Sequence, residues 1–328
     1  MKKLWIGILS ICLIAGLSGL EDWAIAAESF PVKPITFIVP LEAGSDGDII
    51  SRPLCQKASA ILGQPILIVN KPGAGSSIGY RETHSAKPDG YTLGYGMATL
   101  LTNKMQGIMP LDFADYTIMG SWYYMSPVII ASTKTQRPFK KMEEVIAFAK
   151  SHPGELSLAT GAVGQSWWVA TMAFVEGTGL KFNIIPQPGA GGLTTTHVAG
   201  GHSDLGVTAI PTAKPQIDAG NLRALANLAP KRALAPYDNI PTLKDLGYDV
   251  SYESFGIIVG PPKIPKEVAD KIAIAFHAAA SDPEYQKFLL GRYGTPFVLR
   301  PDEATKYINE KRISLRKIMD KAGILKEK

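Results

Sequence analysis

Short apolar runs rich in β-branched residues alternate with helix-period segments along almost the whole chain. This alternation limits the folds open to it more than any other feature. The runs fall at residues 35–40, 65–70, 91–95, 128–131, 156–160, 182–186, 205–209 and 255–259. Between them lie segments such as 49–62, 142–151 and 268–280, in which apolar residues recur at helical spacing. Strand and helix in turn predict an α/β protein with parallel sheets covered by helices. Ligands of such sheets bind beyond the carboxyl ends of the strands, where the strand order reverses. A chain of 328 residues divides into two domains more readily than it builds one core.

The first strand-to-helix step is the most informative for function. ITFIVP runs into the acidic, glycine-broken loop LEAGSDGD (Leu41 to Asp48) and then a helix beginning near Ile49. The unpaired N–H groups of a helix start bind a small anion cheaply, so the loop is a candidate ligand site. A strand–PGAG–helix sequence occurs twice, in NKPGAGSSIG (Asn70 to Gly79) and PQPGAGGLTT (Pro186 to Thr195). This echo suggests two similar half-sheets facing one another, although Pro-Gly turns are common.

Lys2 and Lys3, an apolar stretch from Leu4 to Leu20 and the small-x-small Ala24-Ile25-Ala26 mark residues 1 to 26 as a removed export signal. The bland alternative is an uncleaved membrane anchor. The net charge of +5 is scattered, without basic runs or aromatic interleaving, so nucleic acid is not an expected partner. Past the signal only Cys55 remains, and an intramolecular disulfide is impossible. Gly75-Ser76-Ser77-Ile78-Gly79 fits the nucleophile-elbow pattern G-x-S-x-G, but Lys71-Pro72-Gly73 separate it from the strand that a true elbow terminates. Glu42, Asp46 and Asp48 lack the alternating spacing of a calcium loop, and the five histidines lack paired ligand spacing. No catalytic residue, metal or cofactor is expected.

Three stretches then carry a resemblance: FPVKPITFIVPLEAGSDGDIISR (Phe30 to Arg52), LGQPILIVNKPGAGSSIG (Leu62 to Gly79) and KPDGYTLGYG (Lys87 to Gly96). GELSLATGAVGQS, AGNLRALANLAPKRA, NIPTLKDLGYDV and the closing KAGI follow in order. Together they resemble the Bug family, extracytoplasmic solute receptors of tripartite tricarboxylate transporters. The resemblance implies a type II periplasmic-binding-protein fold with two lobes and a two-crossing hinge, residues 30–127 plus 254–328 in one and 128–253 in the other. It implies a periplasmic monomer that closes on a small organic acid and delivers it to membrane permease subunits.

The family's first loop, A-G-G-x-x-D followed by arginine, is matched by Ala43, Gly44, Ser45 and Asp48, with Arg52 one turn later. In relatives its amides hold a carboxylate while the aspartate supports the loop; Asp48 also fits a helix N-cap. The opposing loop is matched by Gly161 to Ser166, including Gly164 and Gln165. Further expected contacts are Gln187, Gly189 and Gly191, Thr99 and Thr208. Glu42 and Asp46 replace small or apolar residues of the family. Carboxylates beside a carboxylate site cost roughly 1–4 kcal/mol per close pair, so they are expected to point into solvent; otherwise the ligand carries a positive or hydroxyl group. Aromatic residues gather near the same loops: Tyr123, and Trp167 with Trp168, which point about 100° apart on one helix, so that one lines the pocket and the other packs. An aromatic carboxylate is therefore the expected ligand. An amine-bearing solute such as an amino acid is the alternative, and a secreted serine hydrolase using Ser77 a more remote one.

Overall fold

The computed structural model describes residues 30–188, 191–232 and 237–327. The expected export signal, residues 1 to 26, and Gly189 lie outside the described residues. Two sheets form the frame. One contains β1 (Ile35–Val39), β2 (Ile66–Asn70), β3 (Thr92–Gly96), β4 (Thr117–Met125), β10 (Ser254–Gly260) and β11 (Thr295–Pro296), in the order β11-β4-β10-β3-β1-β2. The other contains β5 (Pro127–Ser132), β6 (Ser157–Thr160), β7 (Asn183–Pro186), β8 (Leu205–Ala209) and β9 (Leu222–Asn227), in the order β7-β6-β8-β5-β9. The two lobes of a periplasmic-binding-protein fold are built on these sheets.

The lobes repeat one plan. In the first, α1 (Asp46–Leu62), α2 (Ser77–Ser85) and α3 (Ala98–Met105) follow β1, β2 and β3; in the second, α5 (Ser166–Thr178), α6 (Gly191–Ala199) and α7 (Ile210–Asp218) follow β6, β7 and β8, after α4 (Met142–Ser151). The strand orders β2-β1-β3-β10 and β7-β6-β8-β5 correspond. The first PGAG turn leads into α2, while Gly189 and Ala190 of the second stretch lie outside the described residues. α8 (Lys266–Ser281), α9 (Pro283–Gly291) and α10 (Pro301–Lys321) complete the chain.

The expectation of parallel sheets needs correction. β1 is parallel to β2 and β3, and β6 to β7 and β8, but β10 is antiparallel to β3 and β4, and β5 to β8 and β9. The cause is the pair of crossings, one at Ser126 and one between β9 and β10. A strand arriving from the other lobe enters its sheet at the end where its neighbours leave, and so runs opposite to them.

Helix α1 shows how sequence builds this frame. Ile50, Leu54, Cys55 and Ala58 recur at helical spacing and are buried, and α1 packs on α8. Gly63, at φ 71°, ends the helix in the left-handed conformation that glycine adopts without steric cost. Beneath it Phe37 of β1 stacks on Phe276 of α8 at 5.8 Å between ring centroids. Each such fully buried side chain contributes about 1.5–3 kcal/mol.

Strand β4 was not visible in the alternation because it is bulged. Gly256 pairs with Tyr123 and Ile257 with Ser121, leaving Trp122 as the extra residue, fully buried. Gly256 makes room for both rings: a Cβ there would lie 2.4 Å from Tyr123 Cε1 and 2.8 Å from Trp122 Cζ2. Gly256→Ala is expected to destabilise the protein by about 1–3 kcal/mol, measured by chemical denaturation. An unchanged midpoint would show that the rings relax freely.

Candidate ligand-binding site

Each strand-to-helix step of the repeated plan, through its turn or the helix that follows, delivers residues to one cavity of about 520 Å³ between the sheets. Glu42, Gly44, Ser45, Asp46 and Gly47 come from the β1–α1 turn and Pro72 to Ser76 from β2–α2; Met97 and Thr99 come from β3–α3. The second lobe supplies Gln165, Ser166 and Trp167 before and within α5, Gly191 and Gly192 of α6, and Thr212 of α7. Met125 and Ser254, on the strands flanking the two crossings, are also in the lining. The placement follows the rule for ligands at strand carboxyl ends, and helix starts supply partial positive charge from both sides.

The first loop is held by Asp48. Helix α1 begins three residues before Ile49, and its N-cap is Ser45, whose Oγ accepts the Asp48 N–H at 3.4 Å. The expected N-cap role of Asp48 is therefore corrected. Asp48 lies within the first turn, where its carboxylate accepts the Gly44 N–H at 2.8 Å, Asn70 Nδ2 at 3.1 Å and both Nε and an Nη of Arg52 at 3.1 and 2.9 Å. Burial raises its pKa, but the Gly44 N–H, Arg52 and Asn70 outweigh burial and hold the carboxyl below its ordinary value. This closed set of bonds fixes the turn while leaving the Asp46 and Gly47 N–H groups without intrahelical acceptors.

The opposing loop has the opposite electrostatics. α5 carries no acidic residue in its first turn and no side chain caps its start. The N–H groups of Ser166, Trp167 and Trp168 thus point out of the helix end with no intrahelical partner. Thr160 and Thr171 both donate to the Trp167 carbonyl, at 3.1 and 2.8 Å, which pins this turn. Ser166 Oγ meets Tyr252 OH at 3.0 Å, tying the loop to the second crossing.

Of the residues expected from the sequence, Gly44, Ser45, Asp46, Thr99, Tyr123, Gln165, Ser166, Trp167 and Gly191 line the cavity. Ala43, Asp48, Gly164, Trp168, Gln187 and Thr208 do not. Asp48 supports from behind. Gly164 gives its carbonyl to Gln106 Nε2 of the other lobe at 3.1 Å. Thr208 donates to the Gly191 carbonyl at 3.2 Å beneath α6, Gln187 donates its N–H to the Thr160 carbonyl at 2.8 Å, and Ala43 is exposed. Trp168 packs into the core while Trp167 faces the cavity, as two successive helical residues must diverge.

Asp46 requires a correction, because it lines the cavity half-buried rather than pointing into solvent, whereas Glu42 reaches the cavity from an exposed position. Asp46 is drawn inward by Thr212 of the other lobe, whose Oγ1 donates to Asp46 Oδ2 at 3.0 Å. Thr212, Tyr95, Met125 and Ser254 were missed. Of these only the start of α7 carried a usable signal, its equivalence to the step after β3. Ser77 is a buried residue opening α2 rather than the end of a strand, which separates it from an elbow nucleophile. Among the described residues no cluster of His, Cys, Asp and Glu is arranged to hold a metal ion.

Comparison with known proteins agrees with this geometry. A UPF0065 protein from the gbd 5' region of Cupriavidus necator is 29% identical over 324 residues, covering 98% of this chain and 96% of the relative. Protein BugT of Bordetella pertussis is 27% identical over 313 residues, covering 92% and 91%. An R. palustris protein whose solved structure is described as with adipate superposes with a TM-score of 0.80 at 23% identity, covering 90% of this chain and 99% of that one. The model of the tripartite tricarboxylate transporter family receptor matches residues 50–324, and the chain belongs to that family of receptors, of the Bug type.

Proposed function

We propose that the protein is a periplasmic receptor, exported by a signal in residues 1 to 26, that binds a small aromatic carboxylate between its lobes and passes it to membrane permease subunits without chemistry of its own. The carrying observation is the 520 Å³ cavity ringed by helix starts from both lobes, with the uncapped α5 start on one wall. Such a wall binds a carboxylate through backbone N–H groups and needs no cationic side chain. A similarly folded protein described with adipate supports a carboxylate as the cargo class. Trp167 and Tyr123 in the lining favour a planar solute, each stacking contact contributing about 1 kcal/mol.

The lobes are assigned to residues 30–127 plus 254–328 and to 128–253, working as a monomer. Closure depends on how much better the closed state binds the solute. Asp46 to Thr212 and Gln106 to Gly164 already bridge the lobes, so closing needs no refolding of either loop. Thermal shift of the mature protein against aromatic and aliphatic mono- and dicarboxylates tests the reading. A bound acid at 100 times its dissociation constant is expected to add about 2.7 kcal/mol of stability. No shift with any carboxylate would contradict it.

A further inference from the structure

We infer that the cargo is a zwitterion, its cationic nitrogen held on the first-lobe wall by Asp46 and its carboxylate on the second-lobe wall by the N–H groups that open α5. The inference rests on the receptor reading and names the solute class of the same cavity. The charged side chains lining the cavity are Glu42 and Asp46, both negative; among the described residues no Lys, Arg or His joins them. A solute bearing only carboxylates meets two like charges with no cationic side chain to offset them.

The two walls also differ. The start of α1 carries Asp46 and Asp48 in its first turn and is capped by Ser45, so its positive end is offset in part even though the Asp46 and Gly47 N–H groups have no intrahelical acceptor. The start of α5 has neither an acidic residue nor a side-chain cap. An anion therefore gains more at α5 and a cation more at α1. Asp46 is placed for this role: Thr212 occupies Oδ2, while Oδ1 has no hydrogen-bond partner among the described residues. Tyr123 lies close by, its phenol raised well above the ordinary value chiefly by burial and further by the negative charge of Asp46. Its hydroxyl is engaged with that of Tyr95, so both phenols stay neutral and the rings of Tyr95, Tyr123 and Trp167 line the space a cation would enter.

Matched triads test this on the mature protein by calorimetry: phenylalanine, 3-phenylpropanoate and phenethylamine; and 4-aminobutyrate, butyrate and butylamine. In at least one triad the zwitterion is expected to bind tenfold or more tighter than either single-charge partner. Asp46→Asn is expected to weaken the zwitterion at least tenfold and to narrow its advantage over the acid. An acid that binds wild type as tightly as its zwitterion, or an unchanged ratio in Asp46→Asn, overturns the inference and leaves the carboxylate receptor standing. An amine that binds as tightly as its zwitterion overturns the inference and the carboxylate reading together. Failure of all six probes overturns the inference as drawn, and adipate added to the same sample then shows whether the receptor reading survives. If Asp46→Asn does not fold, the wild-type triads decide alone.

Discussion

Trp168→Ala is expected to lower stability by about 3–5 kcal/mol while leaving solute affinity within a few-fold, and Trp167→Ala to do the reverse. Trp168 is 6% exposed and embedded in the main core, so truncation opens a cavity that its neighbours refill only in part. Trp167 turns toward the cleft, and its backbone is held independently of its side chain by the hydroxyls of Thr160 and Thr171. Removing its ring forfeits stacking of about 0.5–1.5 kcal/mol, up to roughly tenfold in affinity. Urea melts and calorimetric titrations of the two variants separate the roles. Equal losses of affinity in both, with equal stability, would contradict the assignment of one ring to the cavity and one to the core.

Asp48→Asn is expected to cost about 2–4 kcal/mol of stability and to weaken solute binding through the loop it holds. The carboxylate is 2% exposed and answers the Gly44 N–H, Asn70 and Arg52 together, and an amide cannot accept all of them. Arg52 is 53% exposed and rehydrates when released, which keeps the cost below that of orphaning a buried charge. The pH dependence has a definite sign. A carboxyl held below its ordinary value of 3.8 contributes stability that is complete above that value and is lost as pH falls through the depressed one. Asp112, held low against burial by the Ala114 N–H, Lys104 and Arg312, adds to the same acid limb. The gap in melting temperature between wild type and Asp48→Asn is thus expected to be steady at neutral pH and to shrink below about pH 4. A gap that persists unchanged into that range would show that the charge of Asp48 contributes nothing.

Much of the frame was legible because the strands entering it are short, β-branched and bounded by turns, as 205–209 and 128–131 show in β8 and β5. The reversed direction of β5 and β10 was not legible: it arises from chain crossings between lobes, and nothing in a local pattern encodes the end from which a strand enters its sheet. β4 was hidden by its bulge at Trp122, which breaks the alternation a strand is recognised by. At the site, loop identity was readable and side-chain direction was not. Asp46 turns inward because Thr212, 166 positions away in sequence, supplies a donor across the cleft. Trp167 and Trp168 illustrate the boundary well: helical geometry requires that they diverge, but only tertiary packing decides which of them meets the core.

The central claim is that a solute binds between the first turns of α1 and α5. The most direct test is a crystal structure of the mature protein grown with the best-shifting solute of the panel. The account predicts density in the cavity bounded by Asp46, Trp167 and Ser166, with the carboxylate against the N–H groups of Ser166 to Trp168. Density on any other surface, or an unfilled cleft at saturating solute, would contradict it.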